Sequence, residues 1–266
     1  MSAATTNRSD LLKTIISKVP EVTLYFWIIK VLATTVGETA ADFLDKNLHV
    51  GLSYTTLIMG SLLAIALFFQ FRLRQYVPSV YWIAIVLISV VGTLITDNMV
   101  NNFGVSLWTT TIAFSICLAA TFAAWYRSEK TLSIHSIFTS KREAFYWLTV
   151  LFTFALGTAA GDLVAEGMDI GYWKSALLFG GVIGVIAFAH FYAKLNEILA
   201  FWIVYILTRP LGASIGDYLS QPADVGGLAL GTTVTSLIFL AAILAVVAFL
   251  SLTKRDQIVL SKDALV

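Results

Sequence analysis

Residues 27–42 read WIIKVLATTVGETAAD, an apolar run long enough for a membrane span except that Lys30, Glu38 and Asp42 fall within it. A charge at the bilayer centre costs roughly 2.5–3.5 kcal/mol on insertion scales, so three in one span need a reason. The stretch returns three times: WIAIVLISVVGTLITD at 82–97, WLTVLFTFALGTAAGD at 147–162 and WIVYILTRPLGASIGD at 202–217. In each copy a tryptophan (Trp27, Trp82, Trp147, Trp202) precedes a glycine by ten positions (Gly37, Gly92, Gly157, Gly212). Each glycine precedes an aspartate by five (Asp42, Asp97, Asp162, Asp217). An aromatic stands before every tryptophan and a small residue before every aspartate. Chance does not repeat such a pattern four times, and a period of this size is the mark of a repeat architecture.

Composition says what the repeat is made of. The 266 residues are 58% hydrophobic and only 12% charged, about half the charge of an ordinary soluble domain. A helical span takes about 20 mainly apolar residues, and eight such runs are present, near 22–42, 53–71, 79–97, 106–126, 144–163, 172–192, 198–218 and 228–252. The expected fold is therefore all-α: a polytopic membrane protein of eight transmembrane helices in four parallel helical-hairpin repeats. Repeats one and two map onto three and four at a constant offset of 120, which makes two halves related by a pseudo-two-fold axis and leaves a pseudo-four-fold arrangement open. The organisation reads as an N-terminal arm (1–20), a first half (21–126), a polar linker (127–143), a second half (144–253) and a tail (254–266). Within the arm, LLKTIISK (11–18) suits either a short helix lying on a membrane surface or a frayed polar terminus.

Lysine and arginine placement sets the orientation. Of the 17, 13 lie in the arm, the even-to-odd connections and the tail, while Lys46 and Lys174 flank the odd-to-even turns. Both termini are thus expected to be cytoplasmic, with the protein in the inner (cytoplasmic) membrane of the cell. The tryptophans would then sit toward the cytoplasmic interface. The aspartates, fifteen residues on, would lie about 22 Å further along, at one level near the outer face. Net charge is only +1, which points to no nucleic-acid partner. The lone Cys117 excludes an intramolecular disulfide.

The chain resembles the bacterial uncharacterised membrane-anchored proteins built from four tandem two-span units of a "repeat of unknown function". The resemblance runs over about residues 19–254 and is carried by the four motifs and by the opening phrase KVPEVTLYFWIIKVLATTVGETAADFL. It implies the architecture and no activity, so function rests on the residues.

Polar groups in membrane spans normally face the bundle interior, and four carboxylates at one level around one axis repel unless cations neutralise them. Asp42, Asp97, Asp162 and Asp217, with Glu38, form the candidate cation-binding set, and the four aspartates are the candidate metal ligands. Solvated helix ends are the plain alternative. Thr34, Thr39, Thr93, Thr96, Thr158, Ser214 and Asn98 could add neutral oxygens, and such donors suit Mn, Mg or Ca rather than softer metals. Arg209 and Lys30 are the candidate ion-pair or gating residues, with Glu38 the expected partner of Arg209. Pro210 should kink its span. Trp27, Trp82, Trp147 and Trp202 with Gly37, Gly92, Gly157 and Gly212 are expected to serve helix packing. Gln70 and His190, equivalent across the 120 offset, are candidates for a polar gate.

The leading reading is an integral membrane transporter of a hard divalent cation, with proton coupling open and no cofactor beyond the bound cation. Alternatives are a proton-coupled transporter of a small organic solute, held by Arg209 and Lys30, and a non-transporting scaffold or regulatory protein. Partners are membrane lipid and the cation or solute, with a homo-oligomer left open. No nucleophile with a base is present to support an enzyme.

Overall fold

A computed structural model describes residues 17–256. The surface helix expected over 11–18, most of the arm and most of the tail lie outside them. Among the described residues eight long helices follow one another: α1 (Leu24–Asp42), α2 (Leu52–Arg72), α3 (Pro78–Asp97), α4 (Leu107–Glu129), α5 (Ser140–Asp162), α6 (Tyr172–Ala193), α7 (Glu197–Ser220) and α8 (Thr232–Thr253). Seven of them are long and apolar enough to cross a membrane, as in a polytopic membrane protein. The eighth, α1, carries Lys30, Glu38 and Asp42. Local chemistry sets the starts. Thr23, Ser106, Thr139 and Asn196 accept a backbone N–H at the N-termini of α1, α4, α5 and α7, satisfying donors that the helix itself leaves free. The helices α4 and α5 reach into the polar linker at both ends, which shortens it to the residues between Glu129 and Ser140.

The motif-bearing helices form the centre. Contacts run α1–α3, α3–α5, α5–α7 and α7–α1, closing a ring. The even helices lie outside it, and here the hairpin expectation needs correction. Each packs chiefly against the odd helix that follows it, not the one it is joined to: α2 on α3, α4 on α5, α6 on α7, and α8 back on α1. The outer helices keep a largely exposed apolar surface, with Leu57, Phe68, Ile116, Leu177 and Leu244 among the exposed side chains. The inner helices are buried.

Glycine makes the ring tight. A Cβ on Gly37 would overlap Ser89, one on Gly92 would overlap Phe154, one on Gly157 would overlap Arg209, and one on Gly212 would overlap Thr34. Each partner stands three residues before the motif glycine of the next repeat, and the last contact closes the circle. The tryptophans run the other way. Trp82 packs on Phe26, Trp147 on Tyr81, Trp202 on Tyr146 and Trp27 on Phe201, with ring centroids 5.7, 5.6, 6.3 and 5.7 Å apart. Trp82, Trp147 and Trp202 are consequently buried rather than placed at a lipid interface, because an aromatic of the preceding repeat takes up each indole face. Helix α7 runs unbroken through Pro210, whose ring lies against α5 at Gly157 and Gly161.

The two ends of the bundle differ. At the tryptophan end, Ser17, Tyr76, Ile137 and Asp256 bring together the first described residue, two even-to-odd connections and the last described residue. Tyr76 N–H donates to Ser17 O (3.0 Å), Lys18 N–H to Ile137 O (2.8 Å) and Glu21 N–H to Asp256 O (3.1 Å). Lys18 Nζ meets Glu143 at 2.6 Å, and Gln70 donates to the same carboxylate at 3.1 Å. Gln70 is therefore part of this clasp. His190 lies on Leu195 O (3.1 Å), so the two do not form a gate.

At the aspartate end, α1, α3 and α5 do not stop at their aspartates. Each continues as a five-residue π turn, Phe43–Asn47, Asn98–Asn102 and Leu163–Gly167. Such turns recur at functional sites. The fourth aspartate, Asp217, is followed instead by α-helix to Ser220.

Candidate cation site

Five layers face the axis of the inner ring, each four residues from the next on all four helices, so that a single stripe of each helix points inward. From the tryptophan end they are Phe26, Tyr81, Tyr146 and Phe201; then Lys30, Ile85, Val150 and Tyr205; then Thr34, Ser89, Phe154 and Arg209; then Glu38, Thr93, Thr158 and Ala213; and last the four aspartates. Every member of the first four layers is buried.

The first layer is a floor. The Tyr81 and Tyr146 hydroxyls are hydrogen-bonded to one another, and the Phe26 and Phe201 rings stand 6.0 Å apart. Above it Lys30 is 0% exposed, with Nζ 3.9 Å from the Phe154 ring centroid and 4.1 Å from that of Tyr205. Among the described residues that nitrogen has no hydrogen-bond partner.

Arg209, likewise 0% exposed, reaches up from the third layer into the fourth. The two N–H groups of its Nη2 are shared among Glu38 Oε2 at 2.8 Å, Thr158 Oγ1 at 2.7 Å and Thr93 Oγ1, while Nη1 donates to the Thr34 carbonyl at 3.2 Å. Three of the four residues that follow a motif glycine thus converge on one nitrogen. The fourth, Ala213, belongs to the helix that supplies the arginine.

The aspartates are not equivalent. One ligand atom each of Glu38, Asp162 and Asp217 lie within 4.8 Å of one another, from α1, α5 and α7. Asp42 is held by Lys46 at 2.7 Å and receives Gln221 Nε2 at 3.1 Å, and the same amide donates to Asp217 Oδ1 at 3.3 Å. Asp97 stands outside the triplet. Among the described residues, neither it nor Asp162 has a side-chain hydrogen-bond partner. Carboxylates this close repel unless a proton or a cation comes between them.

Of the candidate neutral oxygens, Thr93 and Thr158 join Arg209. Thr34 donates to Thr208 O (3.1 Å), Thr96 to Ala155 O (2.9 Å), and Thr39 receives Ser236 (2.7 Å). Asn98 turns outward to Thr56 on α2 at 2.8 Å. Sequence reasoning missed Lys46 and Gln221 as members of this end. Both stand four residues past a motif aspartate, an offset that on a helix places them over the carboxylate, so the signal was there.

A cavity of about 650 Å³ lies at the other end, between α1, α6, α7 and the linker, with Trp27 and Phe201 on its wall. His135 stands there 3.7 Å from Glu21 and 3.9 Å from Glu197. The Glu21 carboxylate holds the imidazole proton more firmly than usual, against the opposing effect of partial burial.

The Repeat of Unknown Function (DUF347) matches the chain four times in tandem, over residues 25–76, 80–131, 145–196 and 200–256. The chain belongs to this family. Each DUF347 match takes in one inner helix and the outer helix that follows it in sequence, so the sequence unit and the packed pair of helices are offset by one helix. Comparison with curated proteins and with solved structures finds no match.

Proposed function

We propose that this DUF347 protein is an integral membrane transporter of a hard cation, Mn²⁺, Mg²⁺ or Ca²⁺, bound by Glu38, Asp162 and Asp217 with Asp42 and Asp97 completing the acidic end. The observation that carries this reading is the mutual approach of three carboxylate oxygens from three helices to within 4.8 Å. Two oxygens on opposite sides of a Ca²⁺ ion, each at about 2.3–2.6 Å, stand about 5 Å apart. One ion can therefore touch all three without a large movement, and an all-oxygen donor set favours such ions over softer metals. The four repeats enter the membrane in the same direction around an axis along the membrane normal, with pseudo-four-fold order at the level of the inner ring. Both termini are cytoplasmic and the carboxylates open outward, as the lysine and arginine distribution indicates.

The test is flux in proteoliposomes. Asp162→Asn/Asp217→Asn should lower divalent-cation flux at least ten-fold, with folding checked by the unfolding temperature. Flux equal to the wild type would rule the site out. The second reading, a transporter of an organic anion coupled to protons, is favoured by two buried basic side chains, Arg209 and Lys30, on the same axis. Under it Arg209→Gln abolishes solute uptake and leaves metal binding unchanged.

A further inference from the structure

Glu38 belongs to two groupings at once. It pairs with Arg209, and it offers an oxygen to the triplet with Asp162 and Asp217. A cation entering the triplet and the guanidinium therefore draw on the same carboxylate.

The surroundings of Arg209 Nη2 are those of a bound cation. Three side-chain oxygens from α1, α3 and α5 surround it, one from a carboxyl group and two from hydroxyls. The fourth helix has Ala213 at the corresponding position, which offers no side-chain oxygen. An arginine kept purely to cement the helices would be expected to use its five donors. Here Nε is buried with no partner, Nη1 holds only the Thr34 carbonyl, and the remaining contacts are concentrated on Nη2.

We propose that Arg209 is a tethered cation: its Nη2 fills an oxygen cage made by Glu38, Thr93 and Thr158, and a cation arriving at Glu38, Asp162 and Asp217 is bound in exchange for it. The cage by itself would take a small planar or compact monocation, guanidinium or an ammonium, when the arginine is removed. The exchange half rests on the triplet being a cation site, as argued above; the cage half does not.

Arg209→Ala in detergent, followed by unfolding temperature, separates the two. Millimolar guanidinium should raise the unfolding temperature of Arg209→Ala saturably and leave the wild type unmoved. The Mn²⁺ midpoint, read from the same unfolding shift, should fall at least about five-fold in Arg209→Ala, the low end of ordinary coupling between sites, and guanidinium should restore it. No response to guanidinium overturns the cage. Equal Mn²⁺ midpoints in the two proteins overturn the exchange. Guanidinium rescue without Mn²⁺ binding to either protein refutes the cation-transport reading and leaves the cage standing. Thr158→Val keeps the arginine but removes one cage oxygen, so it serves where Arg209→Ala fails to fold. It should lower the Mn²⁺ midpoint in the same direction, and an unchanged midpoint again overturns the exchange.

Discussion

Arg209 Nη2 and Glu38 Oε2 meet at 2.8 Å although 171 residues separate them, with the arginine wholly withdrawn from solvent and the glutamate nearly so. Removing one partner of a buried pair leaves the other charge uncompensated, at a cost of about 3–5 kcal/mol. Arg209→Met and Glu38→Gln should each lower stability by about that much. The double variant should lose clearly less than the sum. A double-mutant cycle on unfolding in detergent measures it, and additive losses would show that the two charges do not sense one another.

Glycine substitutions should divide by position. At Gly157 a methyl meets Arg209 Cβ and Cγ, and at Gly212 it meets Thr34, whereas nothing lies within 4 Å of Gly184. Overpacking costs about 1–3 kcal/mol, while alanine gains up to about 1 kcal/mol over glycine in a helix. Gly157→Ala and Gly212→Ala should therefore lower the unfolding temperature, and Gly184→Ala should hold or raise it. Equal effects at all three positions would mean that the inner ring is looser than the contacts require.

The inner ring was legible because its repeat writes the same inward stripe four times. The Arg209–Glu38 relation was legible because charges are scarce in apolar runs and these two stand one layer apart in the aligned repeats. The partner choice of the outer helices was not. Their apolar faces carry no motif, and a short loop between α1 and α2 suggests a packed hairpin when α2 in fact lies on α3. The unequal aspartates were hidden for a related reason, since a perfect motif implies equivalence that Lys46 and Gln221 break from just outside it. The cavity at His135 could not be read at all. Its polar groups, Glu21, His135 and Glu197, come from three segments far apart in the chain.

That cavity should show a weak pH dependence. The Glu21 carboxylate, 3.7 Å away, raises the affinity of His135 for its proton above the ordinary imidazole value, with Glu197 adding to the effect. A group that binds its proton more tightly when folded stabilises the fold fully below its unfolded value, about 6.5, and this contribution is lost as pH rises through the folded value. His135 is half-exposed, so solvent screening keeps the effect small. The gap in unfolding temperature between wild type and His135→Asn should be widest near pH 5.5 and close by about pH 8.5. A constant gap across that range would mean that the imidazole acts through packing alone.

Lys30 poses the last test. Among the described residues its Nζ has no hydrogen-bond partner, and only the faces of Phe154 and Tyr205 receive it. A buried polar nitrogen without a hydrogen-bond partner costs about 1–3 kcal/mol, and contact with two ring faces offsets part of that. Lys30→Met, which keeps the length and drops the nitrogen, should therefore stabilise the protein, by up to about 3 kcal/mol. A chain that keeps a destabilising polar group on the axis of its candidate site has a use for it, so the same variant should lose flux. A lower unfolding temperature would show instead that the two rings more than offset the desolvation and that Lys30 belongs to the scaffold.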